Sequence, residues 1–247
     1  MTGIQESCTS TGPRRSAHPR PDRTGPQEPA EPKGATPGPS DFTVLIGGDF
    51  AGKSTVLGAL AAADPAVQVL STDEGFLGPR HVQVGQLRRL AGRLLPHVGG
   101  DYTPDFLAAL FHAAVVHLRD ELRRCDPGRP VIMDSYYYKF LAKCRLAGAQ
   151  ESPLFAWWRS YPQPHRVIEL DVPLATAWER CGRGAGLNAL EFYGASPVRP
   201  AFEDYQSDLR RLMREEVRHL PLRRLPAIGD PSVTAHRIQE ALADVRA

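Results

Sequence analysis

Residues 42–57 read Phe-Thr-Val-Leu-Ile-Gly-Gly-Asp-Phe-Ala-Gly-Lys-Ser-Thr-Val-Leu, and within them Gly47 to Ser54 fits G-x-x-x-x-G-K-[ST]. The apolar run Phe42 to Ile46 predicts a buried strand. The amphipathic VLGALAAA that follows Ser54-Thr55 predicts a helix. Strand, glycine loop and helix in that order separate a phosphate-binding loop from a chance match. Glycines let backbone N–H groups turn inward around phosphate oxygens, and the helix adds its positive N-terminal end. The binding stretch is therefore Gly47, Gly48, Asp49, Phe50, Ala51, Gly52, Lys53, Ser54 and Thr55. Lys53 is placed to reach the outer phosphates, and the Ser54 hydroxyl to ligate Mg²⁺. The pattern predicts a nucleoside triphosphate, ATP with Mg²⁺, as ligand.

The 247 residues divide by composition. Residues 1–40 carry eight prolines among Ser, Thr, Gly, Arg and Glu, and almost nothing apolar. Such a segment cannot bury enough surface to offset its ordering entropy, so a disordered tail is expected there. Without an apolar h-region it does not read as a secretory signal. No later run is apolar enough to span a membrane. One domain over residues 41–247 is expected. Cys8, Cys125, Cys144 and Cys181 show no C-x-x-C spacing, which fits reduced thiols and a cytoplasmic setting. A net charge of +2 is too near neutral to argue for nucleic acid. The Arg-rich stretches 87–95, 118–124 and 209–225 interleave arginine with leucine at helical spacing and read as solvated helix faces.

Further along, residues 67–72 read as a second strand ending in Asp73-Glu74-Gly75. Residues 87–95 read as a helix, and 96–104 as a Gly- and Pro-containing loop. Thr103-Pro104 opens a long helix to about Cys125, with Phe106, Leu107, Leu110, Phe111, Ala114 and Leu118 on a 3–4 spacing. Residues 130–134 are a third strand ending in Asp134, and a helix follows from Ser135. Residues 166–172 are a fourth strand, followed by the helix LATAWERC, a glycine-rich loop at 182–186 and a helix over 201–220. An edge strand near 225–228 and a helix over 232–245 close the chain. Strands alternating with helices predict an α/β fold of three layers with a five-stranded, mainly parallel sheet. In such a sheet ligands gather at the carboxyl ends of the strands, where the glycine loop, Asp73-Glu74 and Asp134 all lie.

In this order the motifs resemble the thymidylate kinase branch of the P-loop nucleoside and nucleotide kinases, over about residues 42–245. The resemblance rests on Asp49 in the loop, Asp73-Glu74-Gly75 after the second strand, and Leu110-Phe111-His112-Ala113-Ala114-Val115. It also rests on Asp134-Ser135-Tyr136, on Asp171, Pro173, Arg180 and Arg183, and on Phe202-Glu203-Asp204-Tyr205. It implies a P-loop phosphotransferase with a mobile lid over about residues 180–196, whose Arg180 and Arg183 face the transferring phosphoryl group. It also implies a homodimer as one assembly. By family the acceptor is a nucleoside monophosphate, thymidylate above all. Yet Asp73, Val115 and Ser135 stand where three family arginines would face the acceptor phosphate. Arginine's bidentate fork is the usual partner of a phosphate dianion, so a neutral or cationic hydroxyl acceptor is the competing expectation. In the related deoxynucleoside kinases a carboxylate after the second strand takes the hydroxyl proton, and Asp73 and Glu74 stand there.

Each candidate has a plainer reading. Asp134 holds the Mg²⁺ water shell, acts as the base or caps a helix; Asp73 or Glu74 is the alternative base or part of a polar turn. Arg180 and Arg183 serve a lid or simply end a helix. Asp49 contacts the acceptor or bonds within its loop. Tyr136, Lys139 and Lys143, with Tyr137, Tyr138, Trp157 and Trp158, are candidates to line an acceptor pocket. One or two of the tyrosines must be packing residues, because three in a row on a helix cannot face one way. His112 and His117 read as satisfied polar residues, and no metal constellation or Ser-His-Asp arrangement stands out. The rival to a kinase is a nucleotide-binding regulatory protein with no small-molecule acceptor. The absence of an N-K-x-D motif argues against a GTPase.

Overall fold

A computed structural model describes residues 41–149, 151–227 and 229–243. The expected disorder of residues 1–40 lies outside the described residues. Five strands, β1 (Thr43–Ile46), β2 (Gln68–Leu70), β3 (Val131–Asp134), β4 (Arg166–Asp171) and β5 (Leu222–Pro226), form one sheet in the order β2-β3-β1-β4-β5. Every pairing is parallel, so the sheet is wholly rather than mainly parallel among the described residues. The helices are α1 (Lys53–Ala63), α2 (Val82–Leu94), α3 (Pro104–Leu122), α4 (Tyr136–Leu146), α5 (Pro153–Arg159), α6 (Leu174–Arg180), α7 (Arg199–Glu216) and α8 (Pro231–Ala243). No described helix is long and apolar enough to cross a membrane.

The period-2 alternation of β1 sets the layers. Phe42, Val44 and Ile46 enter a core built with α3, α4, α5 and α7, while Leu45 enters the opposite core with Val56, Leu57 and Leu60 of α1 and Ile238 of α8. Both faces of the sheet are thus covered, as a parallel sheet requires. α3 begins where Thr103 Oγ1 accepts from the Phe106 amide at 3.1 Å, with Pro104 in the first turn.

The structure differs from the sequence expectations in several places: α2 begins at Val82 rather than residue 87, and β2 spans only Gln68–Leu70 rather than 67–72. α5 has no counterpart in those expectations, although Ser152-Pro153 is a helix-start signal. It is only seven residues long, too short to show periodicity. Its Trp158 is fully buried and donates from Nε1 to His112 Nδ1 at 2.8 Å, which satisfies His112. β5 begins at Leu222 rather than near residue 225. Finally, the arginines of α7 do not all lie on a solvated face. Arg211 does, pairing with Asp208 and Glu215. Arg210 is instead buried and donates to the Val172 carbonyl at 2.7 Å.

Arg214, on the same helix, makes a forked pair with Glu169, a carboxylate 1% exposed in the middle of β4, at 2.8–3.1 Å; Arg224 of β5 stands 3.6 Å from it. A buried carboxylate stripped of its main partner keeps its desolvation cost without the compensating charge. Arg214→Ala should therefore lower unfolding stability by about 3 kcal/mol, with Arg224 giving partial relief. Urea unfolding of the two proteins measures it, and a loss as small as that of Arg211→Ala would refute the assignment.

Candidate active site

The loop between β1 and α1 keeps its shape through two glycines. Gly52 has φ +87, and a Cβ there would lie 3.3 Å from Arg180 Nη1. Gly48 is tightly enclosed: a Cβ would lie 3.0 Å from Gln206 Oε1 and 3.1 Å from Arg210 Nε, so those side chains would have to give by a few tenths of an ångström. α7 therefore presses directly on the loop from below. Lys53, the first residue of α1, extends its ammonium back to the carbonyls of Gly47 and Gly48 at 3.3 and 3.4 Å. Burial and the neighbouring charge of Lys139 push its pKa down to about 7, although Asp134 and Asp49 act in the opposite direction.

Asp49 is the centre of a buried polar network. Its Oδ1 accepts from Lys139 Nζ at 2.7 Å and stands 3.1 Å from Lys143 Nζ; both lysines come from one face of α4. Gln206 of α7 locks the other side, with its Oε1 accepting from the Asp49 amide at 2.8 Å and its Nε2 donating to Asp49 Oδ2 at 2.9 Å. Burial alone would raise the Asp49 carboxyl, but the two lysines outweigh it and hold it far below the usual range. Glu191, 3.8 Å from Lys143, extends the network into the 182–196 segment; burial shifts its carboxyl upward against the pull of Lys143.

The strand ends add the carboxylates. Ser54 Oγ donates to Asp73 Oδ2 at 2.8 Å, and Asp73 Oδ1 accepts from the Gly75 amide at 3.3 Å. Burial opposes ionisation of Asp73, yet these hydrogen bonds and the charges of Arg88 and Lys53 leave its pKa lowered. Asp134, at the end of β3, accepts from Ser71 Oγ at 3.1 Å and from Ser135 Oγ at 2.8 Å. Ser135 and Tyr136 both have positive φ, so the chain turns abruptly right after Asp134. Arg180 reaches across the loop to the carbonyls of Phe50 and Ala51 and to that of Ala227 at 3.2–3.4 Å.

One cavity of about 770 Å³ gathers these groups. Asp49 to Thr55, Asp73, Asp134, Lys139, Lys143 and Arg180 all line it. Gly47 and Gly48 lie just beneath it. Its far wall is apolar, from Leu87 and Ala91 of α2, Leu110 and Phe111 of α3, and Phe140 of α4.

Several candidates lie elsewhere. Tyr136 is fully buried and packs edge-on to Phe42 at 5.9 Å, and Tyr137 and Tyr138 are buried with it. All three tyrosines thus belong to the core, packed with Phe42, Val44 and Ile46 against one face of the sheet, after the positive-φ turn at Ser135 and Tyr136. Neither tryptophan lines the cavity: Trp158 is in the core and Trp157 is exposed. Glu74 pairs with Arg89 and is half exposed outside the cavity. Arg183 also points to solvent, paired with Glu179 at 2.9 Å. Val115, one of the three positions vacated by arginine, is buried in the core; the other two, Asp73 and Ser135, do line the cavity.

Four functional neighbours escaped the sequence reading: Gln206, Glu191, Ser71 and Arg88. Gln206 carried a usable signal, as a polar residue on the buried stripe Phe202, Tyr205, Leu209 and Met213 of α7. Ser71, Glu191 and Arg88 gave none, since nothing local distinguishes them from exposed polar residues.

No protein-family model and no curated protein matches the chain. Solved structures do. A deoxyadenosine kinase from M. mycoides with products dCMP and dCDP bound is 12% identical at a TM-score of 0.56, covering 83% of this chain and 99% of the other. The same enzyme with dATP bound gives 14% and 0.53, covering 82% and 99%. Thymidylate kinase from Candida albicans gives 15% and 0.55, covering 85% and 94%. The fold is that of the P-loop nucleoside and nucleotide kinases, the branch that the motifs resemble.

The buried amine of Lys53 sets a measurable balance. Its folded pKa of about 7 lies below an ordinary lysine's 10.5. Between those values the unfolded chain binds the extra proton, so stability rises with pH across that window. Lys53→Met should melt above the wild type at about pH 6, by about 2–4 °C for each 1 kcal/mol recovered. The gap should narrow as pH rises past 7. Thermal melts of both proteins across that range test it; a wild type that melts higher throughout would refute it.

Proposed function

We propose that this chain is an ATP- and Mg²⁺-dependent small-molecule kinase that phosphorylates a hydroxyl group of a nucleoside or related metabolite. The observation that carries the proposal is the convergence of Lys53, Ser54, Asp73 and Asp134 at the strand ends on one cavity with an apolar far wall. Ser54 and Asp134 offer hydroxyl and carboxylate oxygens, the donors that suit Mg²⁺. Bound there with ATP, the ion would spread the charge of the β- and γ-phosphates.

In the proposed reaction the acceptor oxygen attacks the γ-phosphorus in line, the bond from that phosphorus to the β,γ-bridging oxygen breaks, and ADP leaves. The loop N–H groups and Lys53 hold the phosphate oxygens, and Arg180 supplies a further cation from the base of a lid over residues 180–196. The hydroxyl proton passes to Asp73 or Asp134, the two carboxylates in the cavity; Glu74 is turned away toward Arg89. Lys139 and Lys143, oriented by Asp49, face the acceptor. The kinase domain is residues 41–247, and a chain beginning at Ser40 is expected to keep the full rate in the assay below.

An unphosphorylated acceptor fits best, because Asp73 would repel a phosphate dianion and both α4 lysines are already paired with Asp49. A nucleoside monophosphate is the second reading, favoured by Arg88, which lines the cavity and whose charge acts on Asp73. ADP release from ATP and Mg²⁺ distinguishes the two, using a panel of thymidylate, other monophosphates, free nucleosides and hydroxylated amines. The expected result is stimulation by an unphosphorylated member, abolished by Lys53→Ala and lowered about 100-fold or more by Asp73→Asn. Stimulation by a monophosphate alone would establish the second reading. ATP binding with no stimulation by any member would favour a regulatory nucleotide-binding protein.

A further inference from the structure

Outside the cavity, three side chains far apart in sequence come together on the opposite flank of β2. His117 and Glu121 lie four residues apart on α3 and so share a face. His81 arrives from the short turn that precedes α2. One ligand atom of each lies within 4.8 Å of the other two, and all three residues are half-buried. His81 Nε2 stands 3.6 Å from Glu121 Oε1, and the two imidazole rings meet edge to face at 4.7 Å. The group borders its own depression of about 270 Å³, with Ser71 and Leu77 on the facing side.

We propose that His81, His117 and Glu121 form a binding site for a divalent transition-metal ion of the zinc class. Two imidazole nitrogens with one carboxylate suit Zn²⁺ or Co²⁺, whereas Mg²⁺ and Ca²⁺ take oxygen ligands. Bonds of about 2.0–2.2 Å place tetrahedral ligand atoms about 3.4 Å apart. The three ligand atoms, within 4.8 Å of one another, would close by up to about 1.4 Å to reach that spacing. Arg124 pairs with the same Glu121 oxygen; its side chain is 67% exposed, so it can swing away into water. Three protein ligands leave a fourth position for water.

The place of the site suggests what the ion does. The segment between β2 and α2 carries Ser71, which holds Asp134, and Asp73, which holds Ser54. It ends at His81. An ion there ties that segment and the start of α2 to α3, and α2 and α3 together form the apolar wall of the cavity. It would brace the acceptor side without entering it. The inference stands independently of the proposed kinase reaction.

The test is Zn²⁺ titration of the full chain, stripped of metal by chelator, by calorimetry, with the visible absorption of Co²⁺ as a second readout. One equivalent should bind, and Co²⁺ should show the absorption of a low-coordinate nitrogen-containing site. His81→Ala and His117→Ala should each weaken Zn²⁺ binding by at least about tenfold, the lower end of the range seen on losing even an outer-shell partner. His117→Gln keeps the bulk of the side chain if the alanine variant is unstable. Arg124→Ala should tighten binding, because the competing cation is gone; an ordinary surface ion pair predicts no such gain. Zn²⁺ binding that is absent, or unchanged in both histidine variants, would overturn the proposal.

Discussion

The buried carboxylate of Asp49 is the interaction on which the phosphate loop depends. Without it, Lys53, Lys139 and Lys143 would crowd their ammonium groups into one buried region, where burial and then the charge of Lys139 already push Lys53 down. Asp49 accepts from one α4 lysine and lies within ion-pair reach of the other, while Gln206 takes its remaining oxygen and its own amide. The loop is thereby bonded to α4 and α7 at once. Partly satisfied buried networks are costly, and fully satisfied ones fix a single arrangement. Here the fixed element is the glycine loop between β1 and α1. Gly48 shows how close the support lies: Gln206 and Arg210 stand 3.0 and 3.1 Å from where a Cβ would be.

This arrangement explains why the sequence disclosed the fold more readily than the site. The layers follow from periodicity, and periodicity is local: alternation in β1, a 3–4 spacing in α3, and parallel strands separated by helices. The glycine-loop end of the cavity was legible because the loop is continuous in sequence. The opposite end is assembled from side chains on α2, α4, α7 and the 182–196 segment. A pair such as Asp49 and Gln206 is separated by 157 residues, and only tertiary structure joins it. The tyrosine run shows the limit from the other side. Tyrosine beside a strand end looks like a ligand-facing residue, yet the backbone turn at Ser135 and Tyr136 sends all three rings into the core. Side-chain type alone carries no information about the direction of that turn.

The same turn bears on Asp134. Positive φ at two successive non-glycine residues costs about 1–2 kcal/mol each, and such strain persists only where surrounding contacts over-determine it. Those contacts are present. Tyr136 is locked among Phe42, Tyr137 and Tyr138, and the Ser135 amide donates to the Leu45 carbonyl at 2.9 Å. The strain leaves β3 ending abruptly, with the Asp134 carboxylate held between two serine hydroxyls at the lip of the cavity. A relaxed helical entry would continue the strand direction and carry the carboxylate off the sheet end.

Asp73 and Asp134 are therefore held by different means. Asp134 stands on a strained turn anchored in the core. Asp73 stands on an exposed segment whose ties are short hydrogen bonds to Ser54, Ser71 and Gly75. A group that must meet a varying acceptor gains from a supporting segment that can adjust, whereas one that must hold a fixed charge near phosphate gains from rigidity. On that physical ground Asp134 suits the metal and phosphate side of the proposed reaction, and Asp73 the acceptor side. The bridging hydroxyl of Ser71 accepts from the Asp73 amide while donating to Asp134. The Asp73 segment and Asp134 are thus joined through one serine hydroxyl.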